Sequence, residues 1–435
     1  SAWDRVSGES IRIGISDSRQ DLLHPDFSTS MEGDDNNGNG IPDQYQSVHG
    51  TFNNDRHGTA VAGLAIARIN GTDAIGVAPE ATYVPMRGGF RRIQDGGDLT
   101  AQDIYSNTDV VNHSWGQFDQ SASLEREGDG TIRVLDPTKQ AAWLRAIDES
   151  IIVQAVPNQR RTNNPAPGIV VGGWDDYNND PMVHRKVIGV GATGRNGNIE
   201  SYSSFGANVF VTAPARSVTS DIRGNNGYAN GSIATGLTGT SFCAPQVAGT
   251  IALMLEANNN LTTRDIQHIF VETAQKARLT DSNNDGELDS STGGNVELRD
   301  QSFLPSVTTS SAGTNEAHNT GWFKNGAGHW VSDSFGFGVI DAGAAVDAAE
   351  TWRRLKPELK VSTETELINP YTIQEGQLGD LESLNLAADW TLNSNLTAEW
   401  VEVTLNLNLT EQDETMVVLR SPDGTRSVLI APGGN

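Results

Sequence analysis

Three side chains far apart in this 435-residue chain are of the types that together activate a hydroxyl. Asp17 closes the apolar run IRIGIS, His57 stands in DRHGTAVAGLA between a charged loop and an apolar helical pattern, and Ser241 opens GTSFCAPQVAG. A serine hydroxyl is a weak nucleophile until a neutral imidazole accepts its proton; a carboxylate on the other ring nitrogen fixes the tautomer and stabilises the imidazolium. A serine that opens a helix also keeps its own N–H outside the helical ladder, where it can hold a developing oxyanion. Each residue has an ordinary structural reading, as strand-end Asp, helix-start His or N-cap Ser. Taken jointly, in the order Asp, His, Ser, they point to acyl transfer through a covalent serine intermediate.

Two further segments have the spacing of oxygen-ligand cation loops. DNNGNGIPD places Asp35, Asn37, Asn39, Ile41 and Asp43 at alternate positions, with Gly40 at the bend. DSNNDGELD repeats the pattern with Asp281, Asn283, Asp285, Glu287 and Asp289 around Gly286. Calcium prefers such sets of hard oxygens. Neither loop carries the twelfth-position Glu of a full EF-hand, and a polar Asx-rich turn is the bland reading of each. Cys243, two residues beyond Ser241, reads as a small buried side chain.

The elements that must position these residues follow from hydrophobic period. SIRIGIS, ATYVPMR, DVVNHSW, IIVQAV, KVIGVGAT and VFVTAPA read as strands. GTAVAGLAIARI, PTKQAAWLRAIDES, SFCAPQVAGTIALMLEA, TTRDIQHIFVETAQ and DAGAAVDAAETW read as helices. Their alternation predicts an α/β domain, a parallel sheet covered by helices, over residues 1–355. After Lys356 the texture changes: Val401, Val403, Leu405, Leu407 and Leu409 alternate, and MVVLRSPDGTRSVLIAP reads as two strands around an Asp-Gly turn. A separate all-β domain is expected at 356–435, incomplete because some 80 residues is short for a β-sandwich.

Bulk properties bound the partners. The formal charge of −25 disfavours nucleic acid and favours cations or basic peptides. Hydrophobic residues make up 36%, and no apolar run approaches the roughly 18 residues of a membrane span. The single cysteine rules out an internal disulfide. The chain opens on Ser1 without a charged-then-apolar leader, so a signal or pro-segment is expected to have been removed already.

HPDF after Asp17, DRHGT, SWG, GTSFCAP, LEANNNLTTRDIQH, SFGFGVIDAGA and VTLNLNL…SPDGTRSVLIAP together resemble the subtilase superfamily and, within it, the kexin and furin-like proprotein convertases of bacterial flavour. The resemblance implies a subtilisin-like parallel sheet with helices on both faces, then a jelly-roll-like P domain. It implies a calcium-stabilised serine endopeptidase, secreted or periplasmic, cutting protein and peptide substrates after Arg or Lys, with a pro-segment or chaperone inhibitor as a further partner. It implies a second oxyanion donor, for which Asn158 is the candidate, although Pro157 stands where the family has Gly. Asp119 and Asp175 match the family's acids for the basic side chain, and Ser114, Trp115 and Gly116 its substrate-pairing strand; Trp115 also reads as a core aromatic. Ser18 and Asn54 replace two acids of the neighbouring pocket, so the demand at the preceding substrate residue is relaxed. Asp26 with Asn70 matches a further calcium site. Two other readings stay open, a broad degradative subtilisin without basic preference and a catalytically silent calcium-dependent binding module.

Overall fold

The computed structural model describes residues 1–27, 29–50, 55–72, 74–87, 107–114, 147–158, 184–204, 206–277, 322–360, 398–401, 417–422 and 426–430. Six strands form one parallel sheet, β1 (Arg12–Asp17), β2 (Thr82–Arg87), β3 (Val110–His113), β4 (Ile151–Ala155), β5 (Val187–Thr193) and β6 (Val211–Pro214). Their order is β2-β1-β3-β4-β5-β6. Every residue of β3, β4 and β5 is buried. Strands covered on both sides read as continuous apolar runs, which is why the β-branched segments of the sequence are informative. All six match the sequence reading.

Four α-helices are described from end to end: α1 (Arg56–Ile66), α2 (Ala244–Ala257), α3 (Thr263–Thr273) and α4 (Ala342–Thr351). Two of them begin at side-chain caps. Thr262 and Asp265 form a reciprocal capping box on α3, and Asp341 caps α4 by accepting from the Ala344 N–H at 3.0 Å. Helix α2 is buried along most of its length and carries Ala248, Ile251, Ala252 and Met254 into the core with no exposure. At its far end Glu256 accepts from the backbone N–H groups of Ser7, Gly8 and Glu9 at 2.7, 2.5 and 3.0 Å, which ties the chain start to the helix that follows Ser241.

An antiparallel pair, β7 (Val218–Gly224) with β8 (Gly231–Thr235), is an element among the described residues that sequence pattern does not reveal. Helix α1 packs directly on β7: a Cβ added to Gly63 would lie 2.5 Å from Thr219 Oγ1 and 2.7 Å from Ser220 N. Asp21, fully buried beyond the end of β1, takes the Arg223 guanidinium on both carboxylate oxygens at 2.7 and 2.8 Å, fastening β7 to the segment after Asp17.

The chain divides into two compact units, Ser1–Arg354 with Leu409–Asn435, and Leu355–Asn408. The short strands β9 (Phe323–Lys324) and β10 (Trp330–Val331) pair antiparallel, and the hairpin expected near the end is present as β11 (Val417–Arg420) with β12 (Arg426–Ile430). Most of 356–435, including the VTLNLNL run, lies outside the described residues. Among the described residues no helix is long and apolar enough to cross a membrane.

The close approach of α1 and β7 is testable. Gly to Ala within a helix normally stabilises by up to about 1 kcal/mol. Here the added methyl meets backbone, and overpacking of about 1–3 kcal/mol outweighs that gain. Gly63→Ala is expected to lower the denaturation midpoint; an unchanged or raised midpoint would contradict this packing.

Candidate active site

Asp17 is the last residue of β1, and its carboxylate is almost wholly buried. A buried carboxylate costs several kcal/mol unless its charge is met by donors. Asp17 Oδ1 meets two, the Ser18 N–H at 2.7 Å and His57 Nδ1 at 2.8 Å. The second contact fixes the tautomer: a hydrogen on Nδ1 leaves Nε2 with its lone pair. Ser18 holds the two elements together, since its Oγ accepts from the Gly58 N–H at 3.0 Å and donates to the Asp55 carbonyl at 3.2 Å. Thus the residue after the acid clasps the residue after the base.

Burial opposes the charged imidazole of His57, but the charge of Asp17 and its hydrogen bond outweigh that and hold His57 above its ordinary range. Its ring lies 5.3 Å from that of Phe242, centroid to centroid. His113, by contrast, is fully buried, and burial pushes it down to about 3, so it is neutral.

Ser241 sits in a short 3-10 turn, Thr240–Phe242, at the entrance to α2. Its Oγ donates to the Ser114 carbonyl at 3.0 Å, and Ser114 Oγ donates in return to the Ser241 carbonyl at 2.8 Å. Asn112 Nδ2 donates to Ser114 Oγ at 2.9 Å. The hydroxyl therefore rests against the end of β3 and must turn from Ser114 toward the imidazole for proton transfer. Such contacts commonly tighten only when substrate is bound.

Asn158 follows β4 closely. Its Oδ1 accepts from the Thr240 N–H at 2.9 Å and lies 3.1 Å from Thr240 Oγ1. With the carbonyl end of the amide committed, the NH2 end is left for the cleft, and Asn158 lines it together with Asp17, Ser18, His57, Ser114 and Ser241. The cleft volume is about 730 Å³. The Pro157 departure thus coexists with an oriented amide. Cys243 is fully buried, and burial pushes its thiol far above the usual range, matching its reading as a packing residue.

Of the residues read from sequence, Asp17, His57, Ser241, Asn158 and Ser114 share this cleft. Trp115, Gly116, Asp119, Asp175, Asp281, Asn283, Asp285, Glu287 and Asp289 lie outside the described residues. The loop of Asp35, Asn37, Asn39, Ile41 and Asp43 is described: Asp35 accepts from the N–H groups of Asn39 and Gly40 at 3.2 and 2.7 Å, Asn39 Oδ1 from Ile41 at 3.0 Å, and Gly40 has φ +83°. Both Asp35 oxygens thus accept from backbone N–H groups and Asp43 Oδ2 from Asn36 Nδ2 at 2.6 Å; the donor set is all oxygen, the type a hard cation takes, while among the described residues no group of three or more His, Cys, Asp or Glu is placed to hold a metal ion. Asp26 and Asn70 also meet, through a direct bond from Asn70 Nδ2 to Asp26 Oδ1 at 2.7 Å, while Ser220 Oγ donates to Asp26 Oδ2 at 2.6 Å. Both oxygens of this carboxylate are engaged by protein donors. Sequence reasoning missed Tyr228 and Phe242 in the cleft wall; the NNG turn signal at 225–227 is the available hint of the first.

A family model described as the subtilase family matches residues 8–338, well over half of the chain. Mouse furin is 28% identical over 453 residues, covering 99% of this chain and 48% of furin. The Aeromonas sobria extracellular serine protease is 24% identical over 98% of this chain and 70% of its own length. The crystal structure of the Aeromonas sobria serine protease superimposes with a TM-score of 0.58 at 21% identity, covering 81% of this chain and 62% of that one, which shows the shared fold. The same protease has been solved in complex with a chaperone. The chain spans about half the length of the furins it matches, those of mouse and Xenopus laevis among them.

Only neutral His57 can take a proton, and its affinity for protons is raised. Labelling of Ser241 by a fluorophosphonate is therefore expected to fall with decreasing pH through a midpoint above the ordinary histidine value of about 6.5. A midpoint at or below that value would contradict the Asp17–His57 coupling.

Proposed function

The chain belongs to the subtilase family, and we propose that it is a serine endopeptidase in which Ser241 is the nucleophile, His57 the general base and acid, Asp17 its orienting carboxylate, and Asn158 with the Ser241 N–H the oxyanion donors. The observation that carries this reading is the 2.8 Å contact of buried Asp17 with His57 Nδ1 in the cleft that also holds Ser241. Ser241 Oγ bonds to the scissile carbonyl carbon as its proton passes to His57 Nε2. The oxyanion is held by the Ser241 N–H and Asn158 Nδ2. Collapse breaks the C–N bond, and His57 returns the proton to the leaving amine. Water then repeats the sequence on the acyl-enzyme. Fluorophosphonate capture at Ser241 that is lost in His57→Ala tests the assignment; a catalytically silent binding module would show no capture. Asn158→Ala is expected to lower kcat about a hundredfold or more.

Substrate preference follows from the resemblance to furin. Asp119 and Asp175 would meet Arg or Lys before the cut, since a desolvated guanidinium needs a carboxylate. Ser114, Trp115 and Gly116 would pair with the extended substrate. Among the described cleft residues the only carboxylate is Asp17, already engaged by His57. Ser18 and Asn54, the latter outside the described residues, stand where the family has two acids, so the demand at the residue before the basic one would be relaxed. A peptide panel decides: at least tenfold faster cleavage after Arg than after Leu supports the basic pocket, and equal rates would favour a broad degradative enzyme.

Calcium is the proposed structural ion. Asp35, Asn37, Asn39, Ile41 and Asp43 would hold one, and Asp281, Asn283, Asp285, Glu287 and Asp289 another; at Asp26 and Asn70 the direct bonds from Asn70 and Ser220 take both carboxylate oxygens, so no ion is proposed there. When bound it supplies stability through mass action, about 2.7 kcal/mol at a hundredfold excess over Kd. EDTA is expected to lower the thermal midpoint by several degrees; a midpoint that does not move would remove calcium from the reading. We further assign 356–435 to a P-type β domain following a catalytic domain at 1–355. An extracytoplasmic location, secreted or periplasmic, and regulation by a pro-segment or a chaperone complete the proposal. The latter draws support from the chaperone complex of the Aeromonas protease.

A further inference from the structure

The chain reaches Ser241 through a bend at Gly239, whose φ of +137° is a conformation that residues with a side chain rarely adopt. A bend of this kind takes its N–H groups out of any regular ladder, so each needs a partner of its own. The Thr240 N–H donates to Asn158 Oδ1 at 2.9 Å, and the Gly239 N–H donates to the phenol oxygen of Tyr202 at 2.9 Å. Next in line is the N–H of Ser241, one of the two oxyanion donors of the proposed mechanism. The other donor is close at hand: a Cβ built on Gly239 would stand 3.8 Å from Asn158 Nδ2. Tyr202 is partly buried against the core and is not among the described residues that line the cleft. Burial pushes its hydroxyl up to about 12, so at neutral pH the Gly239 N–H meets an uncharged phenol.

The segment that carries this phenol is itself tied to both halves of the oxyanion site. The Ser203 N–H donates to the Glu200 carbonyl at 3.0 Å, closing a turn around Tyr202. The Ser204 N–H donates to the carbonyl of Pro157, the residue before Asn158, at 3.0 Å. On the other side Arg216 grips Glu200 through two bonds, Nε to Oε1 at 2.8 Å and Nη2 to Oε2 at 3.2 Å. The Arg216 N–H in turn donates to the carbonyl of Leu237, two residues before Gly239, at 3.1 Å. Residues 200–204 thus bridge the end of the strand that presents Asn158 and the stretch that leads into Ser241. Oxyanion donors act only if they are fixed before charge develops, and a misplacement of about 1 Å can cost on the order of a hundredfold in rate. We propose that Tyr202 is a positioning residue whose hydroxyl, through the Gly239 N–H, sets the spacing between the Ser241 N–H and the Asn158 amide. This inference rests on the endopeptidase reading and goes beyond it by naming a residue that touches no reacting atom yet governs the strength of the oxyanion site.

Tyr202→Phe removes the one oxygen and keeps the ring that packs on the core. Rates are taken per site titrated to completion with a fluorophosphonate, so a reduced folded fraction cancels. In the variant kcat is expected to fall about tenfold or more while KM stays within about twofold, the signature of an interaction made in the transition state. A peptide aldehyde of substrate sequence adds Ser241 Oγ to its carbonyl carbon and places its oxygen in the oxyanion site. Its affinity is expected to fall by the same factor as kcat/KM. The pH midpoint of Ser241 labelling is expected to stay at the wild-type value, because Asp17 and His57 keep their contact. A kcat within about twofold of wild type, even with a lowered thermal midpoint, makes the phenol a packing residue only and overturns the proposal. A reduced kcat with unchanged aldehyde affinity, or with a shifted labelling midpoint, places the loss elsewhere and overturns it too. In either case a wild-type chain that labels and cleaves leaves the endopeptidase reading standing, whereas one that does neither defeats both.

Discussion

A carboxylate taken out of water must be answered by donors, and at Asp17 that requirement shapes everything near the cleft. Its Oδ1 carries both the Ser18 N–H and His57 Nδ1. The charge is worth keeping buried because the imidazole it faces becomes cationic during proton transfer, and an ion pair in a partly dry site is stronger than one in water. The same pairing raises the proton affinity of His57 and selects the tautomer that leaves Nε2 able to accept. Everything else in the site arranges that this one contact forms with a hydroxyl and two N–H donors nearby.

The arrangement is built from chain ends of regular elements. β1 delivers Asp17 at its carboxyl end, where open parallel sheets place their ligand-facing residues. α1 delivers His57 in its first turn, and the Ser18 hydroxyl bonds across to Gly58, joining strand end to helix start. The turn ahead of α2 delivers Ser241, seated by reciprocal bonds with Ser114 at the end of β3. Asn158, after β4, is oriented by Thr240, the neighbour of the nucleophile. The residue after Asp17 is thus bonded to the residue after His57, and Asn158 to the residue before Ser241, so a shift in one of these elements is felt by its partner. Packing of α1 on β7 at Gly63 extends the bracing to the hairpin that carries Tyr228.

Much of this is legible without coordinates. The apolar runs at 12–17, 110–113, 151–155 and 187–193 form sheet strands that are buried at every position but Arg12, where apolar continuity is demanded. Helices at 56–66, 244–257, 263–273 and 342–351 follow their apolar spacing, and the last two also their N-caps. The β7–β8 pair is not legible, because its buried residues include Thr219, Ser220 and Asp221, satisfied by hydrogen bonds and not by apolar contact. Hydrophobic period cannot report a strand whose interior face is polar. Likewise the pairing of Asp26 is open in the sequence, and in the structure Asn70 and Ser220 occupy its two oxygens directly.

The amino-acid sequence by itself determined the chemical types available, a carboxylate, an imidazole and a hydroxyl at the edges of regular elements, because periodicity and capping are local properties. Only the tertiary structure decided that Asp17 and His57 touch, that the hydroxyl of Ser241 rests on Ser114, that Asn158 turns its amide to the cleft, and that Tyr228 walls it. Those outcomes depend on distances between residues remote in the chain, from the strand end at Asp17 to the turn before α2. Such distances are set by how strands order in the sheet and how buried polar groups find partners, which no local pattern encodes.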